Sequence, residues 1–290
     1  MISVVQLGTL HYAEGLRLQQ RLVDLRKGGQ IGDVLLLLEH APVITLGRNA
    51  KVANVLASTD QLATRGIELF ECDRGGDVTF HGPGQLVGYP IFDLRGHVFA
   101  GEGARATQTR KTLGVVDYVR RLEEALIRSC ADFGIATKRI AGLTGVWTEA
   151  ARGDTHVKPG APARPGESKT RPPAESKIAA IGVHISRSVT SHGFALNVNT
   201  DLSCFNLIVP CGITAKPVTS MQKELGRELD LNEVAQSVSR NFGSVFASQM
   251  LWVETIDSLL GNSVGVPMKA PDRLRRLHGE LHGEDDLFFG

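Results

Sequence analysis

The sequence predicts an α/β or α+β domain, a mixed β-sheet flanked by helices, from three observations. Strand-like segments alternate loosely with amphipathic helical ones, and some strand-like segments stand in hairpin-like pairs. A hydrophobic content of 42% with 22% charged residues is ordinary for a chain that buries a core. At 290 residues the chain has room for one large domain or two small ones.

In chain order, ISVVQLG reads as a short strand. Tyr12 to Lys27 carries Leu16, Leu18, Leu22 and Val23 at helical spacing, and Gly28-Gly29 stops it. DVLLLLEHAPVITLGR gives two strand-like runs broken at His40-Ala41-Pro42, and residues 67–72 and 76–94 read as strands around glycine-rich turns. The clearest helix is 115–133. Val115, Val119, Leu122, Leu126 and Phe133 share one face, and Arg120, Arg121, Glu123 and Glu124 the other. Short strands follow at 145–149, 177–187 and 190–198. A last helix begins near Asp230, where Asp230 and Glu233 fit a capping box, with Val234, Val238, Phe242 and Val245 on its apolar face. Residues 150–176 are rich in Pro, Gly and charge and are expected to be a disordered loop, and 96–112 a shorter polar insertion. The expected organisation is one domain over 1–250 and a C-terminal extension over 251–290.

The net charge of +1 gives no reason to expect nucleic acid or an anionic membrane surface as a partner. The opening MISVVQLGTLHYAEGL lacks a basic stretch followed by an apolar one, and the longest apolar run, Val34 to Leu38, suits a buried strand. A soluble cytoplasmic protein is expected. Cys72, Cys130, Cys204 and Cys211 show no C-x-x-C or zinc spacing and read as free thiols, with Cys130 in the core of a helix.

Several motifs fail. GPGQLVG (82–88) has the wrong glycine spacing for a dinucleotide loop and is followed by the strand-like YPIFDL. PGESKT (165–170) lacks the Gly-Lys-Ser/Thr of a P-loop. HGELH (278–282) offers two His at i, i+4, but its Gly and charged surroundings favour a solvated helix end over a metal site. No G-x-S-x-G elbow or pair of carboxylates stands out.

Two stretches remain. In RGGDVTFHGPGQLVGYP (74–90), seven of seventeen residues are Gly or Pro, yet it holds an Arg and a His. Something must approach this backbone closely. In 177–213, Cys211 sits in Pro-Cys-Gly, 34 residues after Lys177, which opens an otherwise apolar strand. A thiol needs a lowered pKa to attack at neutral pH, and Lys177, His81, His184 and His192 are the nearby cations or bases to consider. Each has a plainer reading. A lone Lys at a strand start usually marks the end of a loop, and a free Cys is often a small core hydrophobe. His81 could be a turn histidine, and His184 an outward residue of an alternating strand.

The 74–90 segment resembles the signature of the lipoyl(octanoyl) transferases of lipoate biosynthesis. The likeness continues in LEHAPVITLGR (38–48), GLTGVWT (142–148), KIAAIGVHISR (177–187), HGFALNVNTDL (192–202) and FNLIVPCGI (205–213), in the family's order. It departs at the insertions 96–112 and 150–176 and beyond about 250. The resemblance implies a fold similar to the catalytic domain of biotin and lipoate protein ligases. It implies octanoyl transfer from octanoyl-acyl carrier protein to a specific lysine of a lipoyl domain or of glycine-cleavage H protein, by a monomer. By the family's pattern Cys211 is the acyl-thioester nucleophile and Lys177 the partner that lowers its pKa. The family's acyl-site segments fall on Arg74, Gly75, Gly76, Asp77, Val78, Thr79, Phe80 and His81, on Ala180, Ile181 and Gly182, and on Gly193, Phe194 and Ala195. In this reading the glycines let an acyl chain lie against backbone, while His81 and Arg74 stand near the reacting carbonyl or the carrier's arm. His81 is a third catalytic candidate, and backbone N–H groups near Gly212 or Gly76 would hold the oxyanion. Thioester to amide is downhill, so no cofactor, ATP or metal is expected. The alternatives are an ATP-dependent lipoate or biotin ligase on the same fold, a Cys–His thioester hydrolase, and a non-catalytic acyl-carrier-binding protein.

Overall fold

The computed structural model describes residues 1–95, 112–149, 175–210 and 216–261. The motifs at 165–170 and 278–282, Cys211 and Gly212 lie outside these, as do all but Thr112 of 96–112 and all but Glu175 and Ser176 of 150–176.

Among the described residues eight strands build one mixed sheet. The central run DVLLLLEH forms β2 (Asp33–His40), parallel to β1 (Ile2–Leu10) and antiparallel to β6 (Gln85–Ile91). Val34, Leu36 and Leu38 enter the core on the side of α1 (Tyr12–Lys27). Leu35 and Leu37 enter the core on the side of α3 (Val115–Asp132) and α5 (Leu231–Val245), a core that Met221 of the short α4 (Met221–Leu225) joins. Both faces of β2 are covered, so its apolar run shows no polar alternation.

The sheet continues from β6 through β10 (Val189–Asn197), β9 (Lys177–Ser186) and β8 (Leu143–Thr148) to β7 (Thr137–Ile140), all antiparallel. Strands β9 and β10 form a hairpin closed by Arg187 and Ser188, both at positive φ, which matches the strands' twist. At the other edge β11 (Met250–Trp252) adds in parallel to β1, and α6 (Ile256–Leu260) packs on the α1 side. A second, three-stranded sheet joins β3 (Val43–Leu46) to β4 (Glu68–Glu71) in parallel and to β5 (Val78–His81) antiparallel. It has its own core, with Ile44, Val78, Phe80 and Phe205. Among the described residues no helix is long and apolar enough to cross a membrane.

Four local readings differ from the structure. Val115, read on the apolar face of α3, is exposed, and Glu123, read on its polar face, is fully buried and accepts from Arg120, Arg139 and the Gly145 N–H. The buried face of α1 includes Tyr12, Gly15 and Gln19, while Leu16 and Leu18 are only half-buried. Asp230 does cap α5, but it accepts from the N–H of Asn232. A complete capping box stands instead at Ser58 and Gln61 of the six-residue α2 (Thr59–Thr64). The glycines of the GPG turn are approached by the protein itself. A Cβ at Gly84 would lie 2.6 Å from the Asn199 backbone, and one at Gly82 2.6 Å from the Phe80 ring.

Strand β10 lies so close to β6 that a Cβ at Gly193 would stand 2.1 Å from the Gly88 carbonyl oxygen and 2.6 Å from Pro90. Gly193→Ala is therefore expected to destabilise the protein by about 2 kcal/mol, the usual scale of overpacking against backbone. Urea unfolding reads this, and an unchanged midpoint would show that the two strands can part without cost.

Candidate active site

The strands place their chemistry in a groove between the two sheets. Arg74, Gly75, Gly76, Asp77, Thr79 and His81 line one side. Ala180, Ile181 and Gly182 of β9 and Gly193, Phe194 and Ala195 of β10 line another, with Tyr12, Val87, Tyr89 and His192 completing it. Alternation along β5 sends Thr79 and His81 to the groove and Val78 and Phe80 into the core of the small sheet, where the Phe80 ring meets Phe205 at 5.7 Å.

A smaller cavity shares Thr79, Ala180 and Ala195 with the groove and adds Gln85, Lys177, Asn197, Phe205, Pro210 and Val218. Lys177 is buried, with its ammonium nitrogen 4.8 Å from the centre of the Trp147 ring. Its N–H donates to the Pro217 carbonyl at 2.8 Å, and its carbonyl accepts from the Thr219 N–H at 2.9 Å. Lys216 reaches the same indole at 5.7 Å. Glu175 pairs with Lys138 and Lys216, both at 2.5 Å, and these bonds hold its carboxyl at about 2. Pro210, directly before Cys211, thus lines the same cavity as Lys177.

The proton on His81 is placed by its neighbours. Asn197 donates its amide to the Thr219 carbonyl at 2.9 Å, so its oxygen accepts from Gln85 Nε2 at 2.9 Å. Gln85 Oε1 then accepts from His81 Nδ1 at 2.7 Å. That leaves Nε2 of a neutral ring unprotonated. Burial, then the neighbouring His40 and Arg74, lower the His81 pKa to about 3. Its ring stacks on Tyr12 at 6.1 Å. His40 follows the same logic. It donates from Nδ1 to the Leu10 carbonyl at 3.1 Å and accepts the Tyr89 hydroxyl at Nε2 at 2.5 Å, and burial lowers its pKa to about 4.

The buried Arg74 guanidinium bonds neutral oxygens: the Thr45 carbonyl and hydroxyl, the Asp77 carbonyl and the Gly75 carbonyl. The Asp77 carboxylate turns away to the N–H groups of Lys51 and Val78 and to Asn54. Among the described residues no carboxylate is hydrogen-bonded to Arg74, so a cation with no bonded counter-ion stands in the groove wall. Of the other thiols, Cys130 is buried in α3 and its pKa is pushed up to about 12 by burial, while Cys72 and Cys204 are half-buried. His184 and His192 both bond Asp73, which sequence reasoning did not single out. Tyr12, Tyr89 and Val87 were also missed. Tyr12 opens a helix and the other two lie in a strand, so only the fold brings them to the groove.

The model of the lipoyl protein ligase A/B catalytic domain matches residues 11–243. A protein of Koribacter versatilis named octanoyltransferase is 56% identical over 290 residues, covering 100% of both chains. One of Acidobacterium capsulatum, named likewise, is 54% identical over 262 residues, covering 90% of this chain and 96% of its own. A bipartite lipoate protein ligase of the archaeal lipoylation system from Thermoplasma acidophilum superposes with a TM-score of 0.61 at 15% identity, covering 89% of this chain and 88% of that one, a likeness of fold. With relatives more than half identical over 90–100% of its length, the chain belongs to the octanoyltransferases of the lipoyl protein ligase A/B catalytic domain family.

Proposed function

We propose that this chain takes the octanoyl group of octanoyl-acyl carrier protein onto the Cys211 thiol and passes it to a specific lysine of a lipoyl domain or of glycine-cleavage H protein. The observation that carries this reading is that Lys177 and Pro210 line one cavity, which shares Thr79, Ala180 and Ala195 with a groove walled by glycine. In the first half-reaction Lys177 favours the thiolate, which attacks the thioester carbonyl. The carrier thiol leaves and takes up the proton. In the second, the acceptor lysine loses a proton to the base freed in the first step. Its amine attacks the enzyme thioester, an amide forms, and the thiol returns. Neutral His81, with Nε2 unprotonated, is a further acceptor for a proton at the reacting centre. One domain over 1–250, acting as a cytoplasmic monomer, would suffice for the cycle.

The test is an intact mass with peptide mapping after mixing with octanoyl-acyl carrier protein alone. One octanoyl group on Cys211, discharged by an apo lipoyl domain, is the expected result. An unmodified enzyme that still octanoylates the acceptor would mean direct transfer and remove Cys211 from the mechanism. Transfer that needs ATP, with ATP–pyrophosphate exchange, would make the chain a ligase.

A further inference from the structure

At one end the groove shares Thr79, Ala180 and Ala195 with the cavity that Lys177 lines. Three residues past Ala180 on β9, about 10 Å at the usual strand rise, Val183 stands opposite His192 in the ladder with β10. His192 is held there in an unusual way. Its neighbours Phe194 and Leu196 point into the core under α3 and α5, and strict alternation would send His192 with them. A left-handed backbone at His192 (φ 55°) turns the ring to the groove side instead, where it stands edge-on to Tyr89 at 6.5 Å. Gln19 Oε1 fixes this turn by accepting the His192 N–H at 2.8 Å. Non-glycine residues in this region carry strain, which folds retain mainly at working positions.

Behind the ring runs a hydrogen-bonded chain to the surface. His192 Nε2 donates to Asp73 at 2.7 Å, Asp73 accepts from His184 Nδ1 at 2.5 Å, and His184 Nε2 accepts from Arg48 at 2.9 Å. Side-chain exposure is 3% for His192 and 53% for Asp73, so the carboxylate sits at the solvent side and the imidazole at the groove. A methyl group driven into this end must part the buried imidazole from its carboxylate and leave the ring without that partner, which is costly.

We propose that His192, positioned by Asp73, is the end wall of the acyl groove and sets the longest chain the enzyme accepts. The proposal rests on the octanoyl-transfer reading above. It assigns chain selectivity to a residue at the opposite end of the groove from the Lys177 cavity.

The experiment compares kcat/KM of the native enzyme and His192→Gly with hexanoyl-, octanoyl-, decanoyl- and dodecanoyl-acyl carrier protein, with an apo lipoyl domain as acceptor. Glycine suits the left-handed backbone, so the variant removes the wall without adding strain. The decanoyl-to-octanoyl ratio should rise about 10-fold or more, the scale on which a pocket reads one or two methylenes. Asp73→Ala should shift the ratio in the same direction and by less. General damage would lower all four donors alike. An unchanged ratio with octanoyl turnover retained overturns the proposal. If His192→Gly loses turnover with every donor, calorimetry compares its relative affinity for free decanoate and octanoate with that of the native protein. A shift toward decanoate supports the end wall, and an unchanged preference overturns it. A native enzyme that transfers no acyl group would instead sink the transfer reading, and this proposal with it.

Discussion

Lys177→Met should lower octanoyl transfer by about 10³-fold, within the range usual for loss of a proton-transfer group, while the protein stays folded. The methionine side chain keeps most of the lysine's apolar stem, so Trp147 stays covered. The backbone bonds to Pro217 and Thr219 do not involve the side chain. What disappears is a cation and a titratable amine beside the cavity that Pro210 also lines. The loss should fall on acylation, measured by single-turnover mixing with octanoyl-acyl carrier protein. On the proposed mechanism the pH at which Cys211 reacts with iodoacetamide should rise as well, because its thiolate would lose a nearby positive charge. Lys177→Arg separates the two duties. Arginine keeps the charge but does not give up its proton. Activity retained in the Arg variant would mean that Lys177 acts through its field alone, and a loss as deep as that of Met would mean proton transfer. A Met variant within about tenfold of native activity would remove Lys177 from the mechanism.

Much of the fold is legible in the sequence because its signals are local. DVLLLLEH is a strand covered on both faces. The 3.6-residue spacing of 115–133 gives α3, and Asp230 opens α5 through its own side chain. Errors arise where a side chain serves a distant partner. Gln19 occupies the buried face of α1 because it holds the His192 backbone, 173 positions away, and a search for apolar spacing passes over it. The site is legible in part. The glycines at 75, 76, 182 and 193 line the groove, but those at 82 and 84 admit the protein's own Phe80 and Asn199. Glycine content shows that something comes close and does not say what. Val78 and Phe80 lie inside a contiguous motif, yet the pleat of β5 turns them away from the groove. His192 needs a positive φ that no residue type at that position announces.

Lowering the pH from 7 to 5 should cost about 4 kcal/mol of stability, and two buried histidines are the reason. His40 and His81 stand 5.9 Å apart, and each donates from Nδ1 to an oxygen. Burial lowers their pKa values from the ordinary 6.5 to about 4 and about 3. Between those values and 6.5 the unfolded chain binds two protons that the folded chain refuses. Stability from this pair is therefore greatest above 6.5 and falls as the pH drops, by up to about 1.4 kcal/mol per pH unit for each ring. Asp73 works lower on the scale. Hydrogen bonding from His192 lowers its pKa from the ordinary 3.8, so its contribution is intact at pH 5 and is lost only in stronger acid. Urea unfolding at pH 7, 6 and 5 gives the slope, and stability that stays level across this range would contradict two neutral buried rings. His81→Gln should remove about one proton from the slope, leaving His40 to account for the rest. Because Nε2 of His81 is unprotonated throughout this range, acid should weaken the fold well before it protonates that ring in the intact groove.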